Sequence, residues 1–186
     1  LHTTAETHNR IMVLEVMGRF AGWIALESAI SGGADVALIP EIPYDINKAA
    51  QAIKARQAKG KNFSIVVVSE GAMSKDGENE THSAEGIDSQ AGISVKFGGI
   101  GQKVAKELQD LTGLESRCTV LGYMQRGGTP TAYDRVLSTK YGAKAMELAM
   151  EEKFGVLTVI HNGNLTSVPL EEVVGNNKEL GAVQGG

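Results

Sequence analysis

Apolar residues in this chain gather into short runs set apart by polar, glycine-bearing turns, and the runs alternate with stretches of helix formers. Arg10 to Val16 reads as a strand, and Gly22 to Ile30 as a helix stopped by Ser31-Gly32-Gly33. A second strand, Val36 to Ile39, closes at Pro40, and Asp45 is placed to cap a helix that runs to Lys59-Gly60. Phe63 to Ser69 is nearly continuous in β-branched and apolar residues, the pattern of a strand buried on both faces of a parallel sheet. Beyond a polar stretch from Gly71 to Lys96, the pattern predicts a helix from Gly99 to Leu111 and a strand from Cys118 to Leu121. A long helix from Thr131 to Glu152 and a strand from Val156 to Ile160 follow. The alternation predicts an α/β fold: three layers, with a mostly parallel sheet between flanking helices. Residues 1–186 are expected to form a single domain, with 71–96 a long polar loop and 176–186 a flexible tail.

Composition narrows the class. At 186 residues, 42% hydrophobic and 22% charged, the chain suits one ordinary globular core. Its one cysteine, Cys118, sits in an apolar run, which excludes a disulfide framework and fits an inert thiol in a reducing setting. No apolar stretch approaches the ~20 residues of a membrane-crossing helix, so a soluble, cytoplasmic protein with no membrane partner is expected. The formal charge of −4 argues against a nucleic-acid partner. Because it opens at Leu1 and stops in Gln184-Gly185-Gly186, the chain reads as part of a longer polypeptide.

Two glycine-flanked arginines are the candidate chemistry. Gly122-Tyr123-Met124-Gln125-Arg126-Gly127-Gly128 sets a guanidinium between a strand and a helix, where glycines let a ligand approach and the planar fork matches phosphate oxygens. Arg19, after Met17-Gly18 and before a helix, would meet an anion together with that helix N-terminus. Glu70 ends an apolar strand next to Gly71, where its carboxylate could take sugar hydroxyls or equally cap a loop. Arg10 and Arg117 begin strands at the opposite end, where arginines are ordinarily solvated or ion-paired. His2, His8, His82 and His161 lack metal-ligand spacing, so no protein metal site is expected. Gly98-Gly99-Ile100-Gly101 lacks the third glycine of a dinucleotide loop and the Gly-Lys-Ser/Thr of a P-loop, and reads as the start of a helix.

Three motifs, Glu15 to Gly22, Val66 to Gly71 and Leu121 to Arg135, together make the chain resemble 6-phosphofructokinases over Thr3 to about Ala145. The resemblance implies the small α/β domain of that family, possessing the fructose 6-phosphate half of the site. Met17, Gly18 and Glu70 would then contact the sugar, with Arg126 and, in place of the family's histidine, Tyr123 at the 6-phosphate. Arg19 would be catalytic, reaching the transferring phosphoryl group. Arg10 and Arg117 match arginines lent to a neighbouring subunit, which implies a homodimer or homotetramer with an intersubunit site. The donor, ATP or pyrophosphate, the catalytic aspartate and the Mg2+ would belong mainly to an N-terminal half that is missing here, so the isolated chain is expected to be inactive. Asp35, Lys59 and Lys61 match an effector site in which His2 stands where an arginine is usual, and the opening Leu1 to Arg10, Ala21-Gly22-Trp23 and Tyr123 look closer to the family's pyrophosphate-dependent or mixed-donor branch. A non-catalytic sugar-phosphate sensor and an oligomerisation module, with Arg10 and Arg117 in subunit ion pairs, are the alternative readings.

Overall fold

The computed structural model describes residues 1–76, 99–176 and 180–181, and within these the chain packs as two compact units, Leu1–Gln125 with the segment from Glu179, and Arg126–Lys178. Most of the 71–96 stretch and of the 176–186 tail lies outside the described residues.

The first unit is built on β1 (Ile11–Val16), β2 (Val36–Leu38), β3 (Ser64–Ser69) and β4 (Ser116–Val120), joined in the order β2-β3-β1-β4. Every pairing is parallel, with Ile11 opposite Ser64 on one side and Ser116 on the other. All six residues of β3 are buried, as its unbroken apolar run requires. Alternation along β1 and β3 then sorts their side chains. Ile11, Val13, Val66 and Val68 pack with α3 (Ile46–Ala58) and α4 (Ile100–Thr112), through Ile53, Val104 and Leu108. Val16 and Val67 pack with α2 (Trp23–Gly32), through Ala25 and Ala29, and Met12 and Ile65 receive Ala5 of α1 (His2–His8). The result is three layers.

Local signals fix the helix starts. Asp45 accepts hydrogen bonds from the Asn47 and Lys48 amides at 3.0 and 3.3 Å, as its capping position predicts. In the second unit, α5 (Ala132–Met150) opens with Thr131 and Asp134 satisfying each other's backbone N–H groups. The Thr131 hydroxyl, with its amide, holds the Asp134 carboxyl below the usual range.

One expected element pairs differently. The strand at Val156 to Ile160 is present as β5 (Val156–His161), yet it joins no parallel sheet: it forms an antiparallel hairpin with β6 (Asn164–Pro169), followed by a short helix α6 (Leu170–Val173). The cause is the Asn162-Gly163 turn, with φ of 50° and 78°, the left-handed pair that reverses a chain in two residues. The α1 helix was also not anticipated from the sequence.

Cys118 is half-buried, and desolvation, with the Glu15 carboxylate beside it, pushes its thiol up to about 11. Alkylation by iodoacetamide at pH 8 is therefore expected to run at least ~10-fold slower in the folded chain than in urea, the rate climbing toward pH 11. Because the folded thiol holds its proton above the unfolded value of 9.0, its contribution to stability is complete below pH 9 and is lost as the pH rises toward 11. Asp45→Ala is expected to cost about 1 kcal/mol by loss of the cap, and Leu108→Ala about 2–5 kcal/mol by leaving a cavity. Urea denaturation monitored by circular dichroism checks both.

Candidate functional site at the carboxyl rim of the sheet

β1 and β3 are neighbours whose following helices, α2 and α4, lie on opposite faces of the sheet. Such a divergence is where open α/β sheets hold ligands, outside the carboxyl ends of the strands. β1 runs out there into Met17-Gly18-Arg19, β3 into Glu70-Gly71, and β4 into Leu121 to Gln125.

The first two segments are clasped through bare backbone. Ser69 Oγ donates to the Gly18 carbonyl at 2.6 Å and the Gly71 amide donates to the same oxygen at 3.1 Å. Gly18 has φ of +147°, and a Cβ there would fall on Ser69 Oγ and within 2.8 Å of the Ala21 carbonyl; one on Gly71 would overlap the Arg19 carbonyl. Only glycine fits at either position. The Gly18 amide donates to Glu70 Oε1 at 3.4 Å, so the half-buried Glu70 carboxylate faces the Met17-Gly18 backbone.

The third segment is joined to the first by a residue that sequence reasoning did not single out. Gln125 Oε1 accepts the Met17 amide at 2.8 Å, across 108 positions of chain. Its place inside the glycine-arginine motif was the available signal. Tyr123, in the same turn, is 83% exposed. Arg19 is exposed, with its guanidinium 5.9 Å from the centre of the Phe20 ring. Arg126 is exposed as well and is the first residue of the second unit.

The N-terminus of α2, expected to greet an anion beside Arg19, already holds one. Both oxygens of Glu41 accept the Gly22 amide, at 2.9 and 3.1 Å, and one also takes the Leu180 amide at 3.0 Å. Partial burial works to raise the Glu41 carboxyl, but the Leu180 and Gly22 amides prevail and hold it low.

Arg10 and Arg117 lie at the amino end of the sheet, away from this rim, as the parallel register requires. Glu115 bridges them: Oε2 accepts Arg10 Nε at 2.7 Å, and Oε1 meets a terminal nitrogen of Arg117. The Arg10 hydrogen bond, against some desolvation, keeps the Glu115 carboxyl low. The oxygens of Asp35 are also engaged, one by Arg56 at 2.9 Å and one by the Ile65 amide at 3.0 Å. His2 Nε2 lies 2.6 Å from the Gly32 carbonyl. The structure thus gathers Met17, Gly18, Arg19, Glu70, Tyr123 and Gln125 at one rim of the first unit and Arg10 with Arg117 at the other.

Among the described residues no three His, Cys, Asp or Glu side chains gather to hold a metal ion. No helix among them is long and apolar enough to cross a membrane.

Comparison with known proteins matches the phosphofructokinase family profile to residues 1–149. ATP-dependent 6-phosphofructokinase 2 of Clostridium perfringens is 51% identical over 97% of this chain and 49% of its own length. ATP-dependent 6-phosphofructokinase of Chloroflexus aggregans is 49% identical over 94% of this chain and 46% of its own. The chain therefore spans about half the length of the curated relatives it matches. Among solved structures, phosphofructokinase from Saccharomyces cerevisiae superposes with a TM-score of 0.74 at 31% identity, over 92% of this chain and 21% of that one. Pyrophosphate-dependent phosphofructokinase from Nitrosospira multiformis does so at 0.74 and 25%, over 96% and 43%. With a family profile over most of its length and relatives sharing half its residues, the chain belongs to the phosphofructokinase family.

Proposed function

We propose that this chain is the fructose 6-phosphate-binding half of a 6-phosphofructokinase, which transfers a phosphoryl group to the sugar 1-hydroxyl. The observation that carries this reading is the clasp at the carboxyl rim. Two glycines without room for a side chain hold the Met17-Gly18 backbone against Glu70, in a chain whose close relatives are named for this reaction. In this reading Glu70 accepts hydrogen bonds from sugar hydroxyls, and the Met17-Gly18 backbone lines the ring. Tyr123 donates one hydrogen bond to the 6-phosphate, and Arg126 grips it through two guanidinium nitrogens. Arg19 stabilises the charge on the phosphoryl group in flight. Arg10 and Arg117, preassembled by Glu115, are lent to the 6-phosphate of a neighbouring subunit in a homo-oligomer.

The aspartate that takes the proton from the 1-hydroxyl, the donor loop and the magnesium belong, in this reading, to the half of the relatives that this chain does not match. ATP is the favoured donor, because relatives near 50% identity are named ATP-dependent, whereas the pyrophosphate-dependent structures share 24–25%. The acceptor domain of a glycolytic enzyme would work in the cytoplasm.

The isolated chain is expected to bind fructose 6-phosphate by calorimetry without turning it over; steady turnover by the pure chain would contradict the division of labour. In the full-length protein, Arg126→Ala and Glu70→Gln are each expected to raise KM for fructose 6-phosphate by ~10- to 100-fold, the loss of charge-assisted hydrogen bonds. Arg19→Ala is expected instead to lower kcat by ~100- to 1,000-fold. Steady-state kinetics with each variant separate these roles, and unchanged KM in the first two would remove the sugar-phosphate assignment.

A further inference from the structure

On the face of β1 that packs against α3 and α4, the row Ile11, Val13 continues to Glu15. A carboxylate thus stands where the alternation calls for an apolar side chain, and it is only 2% exposed. Burial of a charge is costly unless its oxygens are satisfied. Both are: Oε1 accepts the Gly99 amide at 3.3 Å and Oε2 the Gly101 amide at 2.8 Å. Gly99 is the N-cap of α4, so the helix start is capped by a strand residue 84 positions earlier, and the positive end of the helix favours the negative charge. Close approach is built in, because a Cβ on Gly101 would lie 2.7 Å from Cys118 Sγ and 2.9 Å from Glu15 Oε2.

The backbone of the same residue reaches toward the rim. The Glu15 carbonyl accepts the Leu121 amide at 3.2 Å, where the turn carrying Tyr123 and Gln125 begins, and two residues on, the Met17 amide is held by Gln125. One residue therefore joins the start of α4, the end of β1 and the end of β4.

We infer that Glu15 is a positioning residue for the sugar-phosphate site: its buried carboxylate, seated on the α4 N-terminus, fixes the height at which β1 delivers Met17 and Gly18 to the rim. It touches no ligand itself. This inference rests on the sugar-phosphate reading of the rim. A neutral amide at this position would turn an NH2 group toward one of the two backbone N–H groups, and the strand end would shift to relieve it.

The test is steady-state kinetics of the full-length protein carrying Glu15→Gln, with thermal unfolding of each variant alongside. Expected is a KM for fructose 6-phosphate raised ~10-fold or more with kcat within about threefold, the pattern of lost ground-state and transition-state binding alike. Gly101→Ala, which lifts α4 from the carboxylate without altering it, is expected to reproduce that split and serves if Glu15→Gln does not fold. A fall in melting temperature with KM unchanged in either folded variant would reduce Glu15 to a purely structural cap and overturn the inference. Arg126→Ala separates the two levels. If it raises KM while Glu15→Gln and Gly101→Ala do not, this inference alone fails; if none of the three raises KM, the sugar-phosphate reading fails and takes this inference with it.

Discussion

Parallel pairing of β1 between β3 and β4 is the constraint on which the first unit depends. A strand hydrogen-bonded on both edges and covered on both faces by helices has no water to turn to, so its composition is nearly all apolar. Parallel strands also all end at the same rim, so residues from three distant segments meet there without any of them being near another in sequence. The position of the site therefore follows from topology, and its contents follow from what comes just after each strand. Glu15, the carboxylate inside β1, is tolerated because the adjoining helix supplies two amides.

Much of this was legible along the chain, and the reasons for success are local. Ser64 to Ser69 announces a doubly buried strand by composition alone, and Asp45 and Thr131 announce helix starts because a cap binds amides two or three residues ahead. What sequence reading passed over is non-local. Gln125 serves Met17 across 108 residues, and Glu15 serves Gly101 across 86. Neither residue type at either position carries a signature of its partner. Glu41 is another case: the α2 start looked open to an anion, and the carboxylate filling it comes from beyond the next strand. The β5–β6 hairpin was different, for Asn162-Gly163 is a readable turn whose consequence was outweighed by the preceding α/β alternation.

Three carboxylates of the first unit have a common employment. Glu15, Glu41 and Asp45 each sit at the start of a helix and take its outward amides. The fold thereby fills with its own side chains the helix ends that could otherwise gather stray anions. In the proposed reading, selectivity for a phosphorylated ligand then falls to the guanidinium groups, which offer a planar fork rather than a diffuse positive end.

The bridge of Glu115 between Arg10 and Arg117 carries this further. Two cations and one anion leave the cluster a single net positive charge, and the carboxylate already occupies part of the donor array that a phosphate would use. The Arg10 hydrogen bond holds that carboxyl below the usual carboxylate range, so the pairing favours its charged form. A phosphate reaching these arginines thus exchanges one anion for another instead of filling an empty site. Under the proposed intersubunit role, recognition there would be a competition whose incumbent is part of the chain, won only by an anion that offers more oxygens, or more charge, than one glutamate can.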